Sequence, residues 1–171
     1  MSITFGSKDS FAMQIGDASW PSCTVEVWAA GQNLSSFDSS AYLPSFLNSL
    51  TCELCYLKEQ LNFLAFEDCF RELSVEDAFR WLESQERPEV WDKLRILDWG
   101  PTTDDYLCFL LPIRRKLYLA CKGNESEIIH AVQILPYDLI TVLSATLAEL
   151  SKFNPYASPE IAQSNRLSDE K

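Results

Sequence analysis

Residues 105–135 have the sequence DYLCFLLPIRRKLYLACKGNESEIIHAVQIL, and the class of fold follows mainly from them. Residues 106–111 are apolar at every position, which is typical of a strand covered on both faces. A turn is predicted at residues 112–114, with proline at its second position. A second strand is predicted over residues 116–121, and a third over residues 128–135 after a Gly-Asn turn. The stretch therefore predicts a β-meander.

A helix is predicted directly after the third strand. Pro136 suits its first turn, and Asp138 complements its positive end. Its apolar stripe consists of Leu139, Leu143, Leu147 and Leu150. A sheet with a helix docked on it indicates a fold class but names no reaction.

The N-terminal half predicts three strands, over residues 2–6, 10–15 and 23–29, and then a long helix. The strand at residues 23–29 alternates between apolar and more polar positions, so one face should be buried. The helix carries a leucine stripe at Leu43, Leu47, Leu50, Leu54, Leu57, Leu61 and Leu64. Such a stripe can form a dimeric coiled coil, but in a mixed domain we favour burial against a sheet.

A further helix is predicted from Ser74, which is suited to an N-cap and is followed by acidic residues. It should end before Pro88. Residues 90–97 are compatible with a second short helix or with entry into a strand. The chain thus predicts an α+β fold. We expect an antiparallel sheet of N-terminal strands plus the C-terminal β-meander to pack against the leucine-striped helix and the C-terminal helix. Residues 1–153 are expected to form one domain, and residues 154–171 a flexible polar tail.

Charge and hydropathy limit the classes of partner. The net charge of −11 argues against nucleic acid and anionic membranes, and it is compatible with a basic protein partner or with solubility alone. The first residues lack the pattern of a signal peptide, and no apolar run is long enough to span a bilayer. We therefore expect a soluble, cytoplasmic protein with reduced cysteines.

Catalytic chemistry has little support in the sequence. Cys52 and Cys55 form a C-x-x-C, but both lie within the leucine helix, so structural thiols are favoured over a redox pair or a zinc site. His130 alternates with apolar residues, which favours a packed histidine over a general base. No phosphate loop or hydrolase motif occurs. We expect no catalytic residue, no metal and no cofactor.

Acidic residues concentrate between residues 67 and 105. Twelve acids against five bases give this segment −7 of the total charge, and tryptophans are interleaved with them. Carboxylates and exposed aromatics suit a basic protein surface. The alternative is a solvated helix face with ordinary core tryptophans. The candidate contact residues are Glu83, Glu86, Glu89, Trp91, Asp92, Asp98, Trp99, Asp104 and Asp105.

Several short motifs resemble a family of bacterial immunity proteins, which protect cells against polymorphic toxins such as those of contact-dependent growth inhibition. The motifs are Phe5-Gly6, Phe11-Ala12-Met13, Thr24-Val25-Glu26-Val27-Trp28 and Leu135-Pro136-Tyr137-Asp138. The resemblance covers about residues 2–152. It implies non-catalytic binding of a cognate toxin domain, and it carries over no contact residues.

The resemblance and the charge together favour an immunity protein. Its expected partner is a cognate basic toxin domain, such as a nuclease, whose active site or substrate groove it blocks. The alternative is a non-catalytic adaptor or chaperone-like module that forms a homodimer through the leucine stripe.

Overall fold

A computed structural model of the chain describes residues 2–59 and 63–156. Within these residues eight β-strands form two antiparallel sheets, accompanied by four α-helices and a 3₁₀ helix. The predicted α+β class is confirmed. The N-terminal strands and the C-terminal meander were expected to share one sheet, whereas each group forms a sheet of its own.

The first sheet is built around a hairpin of its second and third strands. Its strands are β1 (Ile3–Gly6), β2 (Phe11–Ser19), β3 (Ser22–Ala29), β4 (Gln32–Asn33) and β5 (Ser40–Tyr42). They follow the order β1-β2-β3-β4, with β5 also paired to β3. In β3 the alternate residues Cys23, Val25, Val27 and Ala29 are buried, as the sequence predicts.

The second sheet is the predicted meander, in the order β6-β7-β8. Its strands are β6 (Tyr106–Ile113), β7 (Lys116–Gly123) and β8 (Ile129–Gln133). The expected turn at residues 112–114 is wrong, because Pro112 lies inside β6 opposite Leu117. The turn is formed by Arg114 and Arg115, whose φ angles are 51° and 62°. Two positive φ angles define a tight turn that matches the twist of the two strands.

The outer edge of β6 is covered by the chain itself. The Ile96 N–H donates to the Cys108 carbonyl at 3.1 Å, and Arg95 forms a bridge with Phe109. Pro112 lies four residues after Cys108, so its nitrogen faces the same outer side. The missing N–H of Pro112 therefore removes no hydrogen bond between β6 and β7.

The four helices are α1 (Leu43–Glu59), α2 (Val75–Glu83), α3 (Pro88–Leu94) and α4 (Pro136–Ser151). The inward face of α1 is formed by Leu43, Phe46, Leu50, Leu54 and Leu57. This helix packs against α4 and β5, and α4 packs in turn against β1 and β2. The leucine stripe is thus buried within the chain, more by a helix than by a sheet.

The stripe is shorter than predicted. Leu64 belongs to the 3₁₀ helix (Phe63–Phe70) and is 47% exposed, while Leu61 lies outside the described residues. The predicted tail, residues 154–171, also lies largely outside the described residues, which end at residue 156. None of the helices in the described residues is long and apolar enough to cross a membrane.

The middle of the chain agrees well with its sequence signals. The Ser74 hydroxyl caps α2 by accepting a hydrogen bond from the Asp77 N–H at 3.0 Å, and Phe79 and Leu82 are buried. For residues 90–97 the sequence left open a short helix or entry into a strand, and the structure has both, one after the other. The helix α3 ends at Leu94, and Arg95 then bridges to β6.

The turn between β6 and β7 predicts a stabilising substitution. Arg115→Gly should raise the free energy of unfolding by about 1 kcal/mol, because glycine adopts a positive φ without the clash that an L side chain suffers. The Arg115 N–H donates to the Glu67 carboxylate at 2.6 Å, and glycine keeps that donor. Urea denaturation measures the change. Lys116→Gly, one residue further in β7, should instead destabilise the protein, and equal effects at both positions would refute the explanation.

Candidate functional site

A cleft lies between α1 and the segment from Asp92 to Trp99. Its volume is about 340 Å³. Its polar lining includes Glu53 and Tyr56 of α1, Asp92 of α3, and Arg95 and Asp98 of the following loop. Three of the predicted contact residues, Asp92, Asp98 and Trp99, line this one cleft.

Glu53 forms the floor of the cleft. The Leu97 N–H lies 3.1 Å from both of its carboxylate oxygens, and the indole N–H of Trp99 donates to Oε2. Leu97 has a φ of 61°, and this left-handed turn in the backbone accompanies the approach of its N–H to α1. Both donors come from the loop that leads towards β6.

Burial raises the pKa of Glu53 from 4.5 to about 7. The hydrogen bonds from Leu97 and Trp99 favour the ionised form and act against this rise, while the charge of Asp98 adds to it. Near neutral pH the floor of the cleft therefore carries a partial negative charge. Burial also raises the pKa of Tyr56, with a smaller contribution from the charge of Glu53.

Trp99 is a core residue. Its side chain is 5% exposed, and its ring packs edge-to-face against Phe46 with the centroids 5.7 Å apart. Its backbone N–H donates to the Thr103 hydroxyl at 2.9 Å. The expectation that Trp99 is an exposed aromatic anchor for a partner is therefore wrong. The alternative interpretation, an ordinary core tryptophan, describes it.

The rim of the cleft combines a cation with acids. Arg95 forms an ion pair with Asp98 at 3.2 Å, and its guanidinium lies 4.8 Å from the centroid of the Trp91 ring. Trp91 is half-buried and packs edge-on against Phe109. The Tyr56 hydroxyl donates to the Lys93 carbonyl, which holds α3 against α1. The rim is thus fixed from both sides.

The other predicted contact residues are spread around the same region. Glu83 forms an ion pair with Lys122 of β7, and Glu89 pairs with Arg87. The Arg87 guanidinium lowers the pKa of Glu89. The backbone carbonyls of Asp104 and Asp105 accept hydrogen bonds from Asn124. These residues are not lining residues of the cleft.

The ion pairs separate the predicted acids into two groups. Glu83, Glu89 and Asp98 are neutralised by a basic neighbour. Within residues 2–59 and 63–156, the remaining four form no ion pair; they are Glu86, Asp92, Asp104 and Asp105. We call them the unpaired carboxylates. Their charges are available to a basic partner.

Other candidate chemistry does not converge. Cys52 and Cys55 are unbonded and exposed on α1, so neither packs in the core as a structural thiol would. His130 is half-buried on β8. No three metal-binding side chains come together in the part of the chain that the structure describes.

Glu53, Tyr56 and Arg95 were not among the residues predicted from the sequence. A signal for Glu53 was present, because this residue follows Leu50 by three positions and precedes Leu57 by four. It therefore lies on the inward side of α1, next to the leucine stripe. An acid on an inward-facing position requires hydrogen-bond partners from elsewhere in the chain. The sequence does not say that these partners are Leu97 and Trp99.

Of the comparisons with known proteins, the one with solved structures gives a match, and this match shows the fold alone. No family model matches the chain, and no curated protein is significantly similar in sequence. Among solved structures, the crystal structure of CdiI from Burkholderia dolosa AUO158 is similar, with a TM-score of 0.62 and 18% identity. The match covers 86% of this chain and 99% of that one. The chain thus has a CdiI-like fold.

The raised pKa of Glu53 predicts a pH dependence of stability. The unfolded chain ionises this carboxyl near pH 4.5 and the folded chain near pH 7, so the folded state binds more protons in between. The stability contributed by this group is complete below pH 4.5 and is lost as the pH rises through about 7. The loss is about 3 kcal/mol at most. Glu53→Gln should remove this decline.

Urea denaturation between about pH 5.5 and about pH 8.5 covers most of this range. The free energy of unfolding of wild type should fall relative to that of Glu53→Gln as the pH rises. Glu59→Gln, an exposed carboxyl at the end of the same helix, serves as the matched control and should follow wild type. Parallel profiles for wild type and Glu53→Gln would contradict the assignment.

Proposed function

We propose that this chain is a bacterial immunity protein that binds and neutralises a cognate toxin domain without catalysis. The observation that carries the proposal is the CdiI-like fold, which extends over 99% of the Burkholderia protein. The short N-terminal motifs and the Leu135-Pro136-Tyr137-Asp138 step support it separately. On this proposal the protein acts in the cytoplasm, where an incoming toxin would meet it.

The cleft and the unpaired carboxylates are the proposed toxin-binding surface. Asp92 lies on the rim, and Glu86 lies in the turn just before α3. Carboxylates without intramolecular partners attract a basic surface at long range, and they lose no existing ion pair on binding. Paired acids such as Glu83 and Glu89 would first have to release a neighbour.

The cleft, with its volume of about 340 Å³ and its acidic lining residues Glu53, Asp92 and Asp98, can admit a basic side chain from the toxin. A lysine or arginine that enters it would meet Glu53 on the floor and Asp92 on the rim. A cation inside the cleft, close to Glu53, favours the ionised form of this carboxyl, whose hydrogen-bond donors are already in position. Binding of a basic side chain would therefore release a proton near neutral pH.

The proposed toxin is a basic domain, such as a nuclease, blocked at its active site or substrate groove. The net charge of −11 supports this class, because an acidic inhibitor is complementary to a groove that holds nucleic acid. The adaptor hypothesis relied on a dimer through the leucine stripe. That face is occupied within the chain by α4 and β5, which weakens the hypothesis.

The proposal is tested by growth protection. The full chain is co-expressed with the C-terminal toxin domains of secreted proteins from its own source cells. One toxin should be neutralised, and unrelated toxins should not. Failure to protect against any of them would remove the immunity function.

The surface is tested with the toxin so identified. Asp92→Lys should slow association by about tenfold at low salt and weaken its salt dependence, because it replaces an unpaired attractive charge with a repulsive one. Asp9→Lys, in the turn between β1 and β2, changes the net charge equally and serves as the control. Stopped-flow or biolayer kinetics measure the rates. Equal rates for both variants would move the interface elsewhere and leave the immunity function intact.

A further inference from the structure

The outer edge of β8 is open. The Ile134 N–H donates to the Leu117 carbonyl of β7 at 2.9 Å, so the backbone groups of Ile134, and of every second residue before it, face β7. The N–H and C=O groups of Ile129, Ala131 and Gln133 consequently point away from the sheet. No hydrogen bond to these outward groups is made by the residues that the structure describes.

This edge lacks the features that usually prevent strand pairing. Residues 128–135 contain no lysine, no acid and no proline, and β8 pairs with β7 without a bulge. Large apolar side chains are exposed at both ends of the strand, Ile128 at 64% and Leu135 at 60%. An uncharged, apolar and unpaired edge strand is a template for another strand.

The two ends of β8 carry opposite charges. Beyond its C-terminal end lies the turn between β6 and β7, where Arg114, Arg115 and Lys116 are exposed. These three cations form no ion pair with any described residue. Before its N-terminal end lie Glu125 and Glu127, both exposed. Glu127 forms an ion pair with Arg80 at 3.3 Å, whereas Glu125 forms none with a described residue. The strand therefore runs from an acidic end to a basic end.

An apolar groove continues the edge at the basic end. Leu64 of the 3₁₀ helix, Leu117 of β7 and Leu135 line a cavity of about 180 Å³, with Arg115 and Lys116 at its margin. A strand added along β8 would reach this groove. The incoming segment that best fits it carries an apolar side chain next to acids.

We propose that the occupant is a second copy of this chain, paired antiparallel through β8. A two-fold axis near Ala131 sets the acidic end of each copy against the basic end of the other. Ile128 beside Glu127 is the apolar residue next to acids that the groove of the partner copy requires. The two three-stranded sheets then join into one continuous sheet. This inference does not rest on the immunity function.

Proline at position 131 tests the pairing directly. Ala131→Pro removes an outward N–H but none of the hydrogen bonds to β7, so the fold should survive. Ala131→Ser keeps the N–H and serves as the matched control. Sedimentation velocity of the full chain from about 1 μM to about 200 μM covers the affinities expected of a small interface. Wild type and Ala131→Ser should dimerise, and Ala131→Pro should raise the dissociation constant by at least about tenfold.

A charge exchange tests the antiparallel arrangement. Lys116→Glu and Glu125→Lys should each weaken the dimer several-fold, and the double variant should recover most of the loss because it reverses both ends together. Circular dichroism checks that all variants are folded. A monomer at every concentration, or a dimer that Ala131→Pro leaves unchanged, would overturn the proposal. Additive losses in the double variant would overturn the antiparallel arrangement.

Discussion

The carboxylate of Glu53 joins the two halves of this chain. It belongs to α1, which packs with α4 beside the first sheet, while its donors Leu97 and Trp99 belong to the loop that enters the second sheet. A carboxylate taken from water is stabilised by such charge-assisted hydrogen bonds. Without them, the position of α1 relative to the Arg95–Trp99 segment would depend on apolar contacts and on the hydrogen bond from Tyr56 to the Lys93 carbonyl. These hydrogen bonds fix Glu53, a lining residue of the cleft, in place.

Within the acidic segment, residues 67–105, the tryptophans and the charged side chains have different roles, and the hydrogen bonds of Glu53 contribute to this difference. Trp99 is directed inward by its hydrogen bond to Glu53, and Trp91 lies partly under Arg95. The tryptophans thus stabilise the domain, and the surface between them is left to charged side chains. Recognition on this face would depend on carboxylate chemistry rather than on aromatic anchors, which favours rapid, salt-sensitive encounter over burial of apolar area.

Local patterns predicted local structure well. The strand periodicity of β3, the cap at Ser74 and the start of α4 at Pro136 all appear where their short-range signals place them. Features that depend on distant partners were missed. Pro112 suggested a turn, but proline is tolerated in an edge strand at positions whose N–H would point away from the neighbouring strand. Which residues of β6 point outward is known only from the pairing of Ile96 with Cys108. The division into two sheets and the hydrogen-bond partners of Glu53 likewise depend on tertiary contacts between residues far apart in the sequence.

The two edges of the second sheet are unequal, and this inequality limits how the sheet can grow. Along β6 the backbone is covered by Arg95 and Ile96, and Pro112 offers no donor, so no strand can be added on that side. A strand taken up by β8 leaves no further edge of this sheet exposed. Stacking through it is therefore self-terminating, which separates this apolar strand from the open-ended templates that give rise to fibrils.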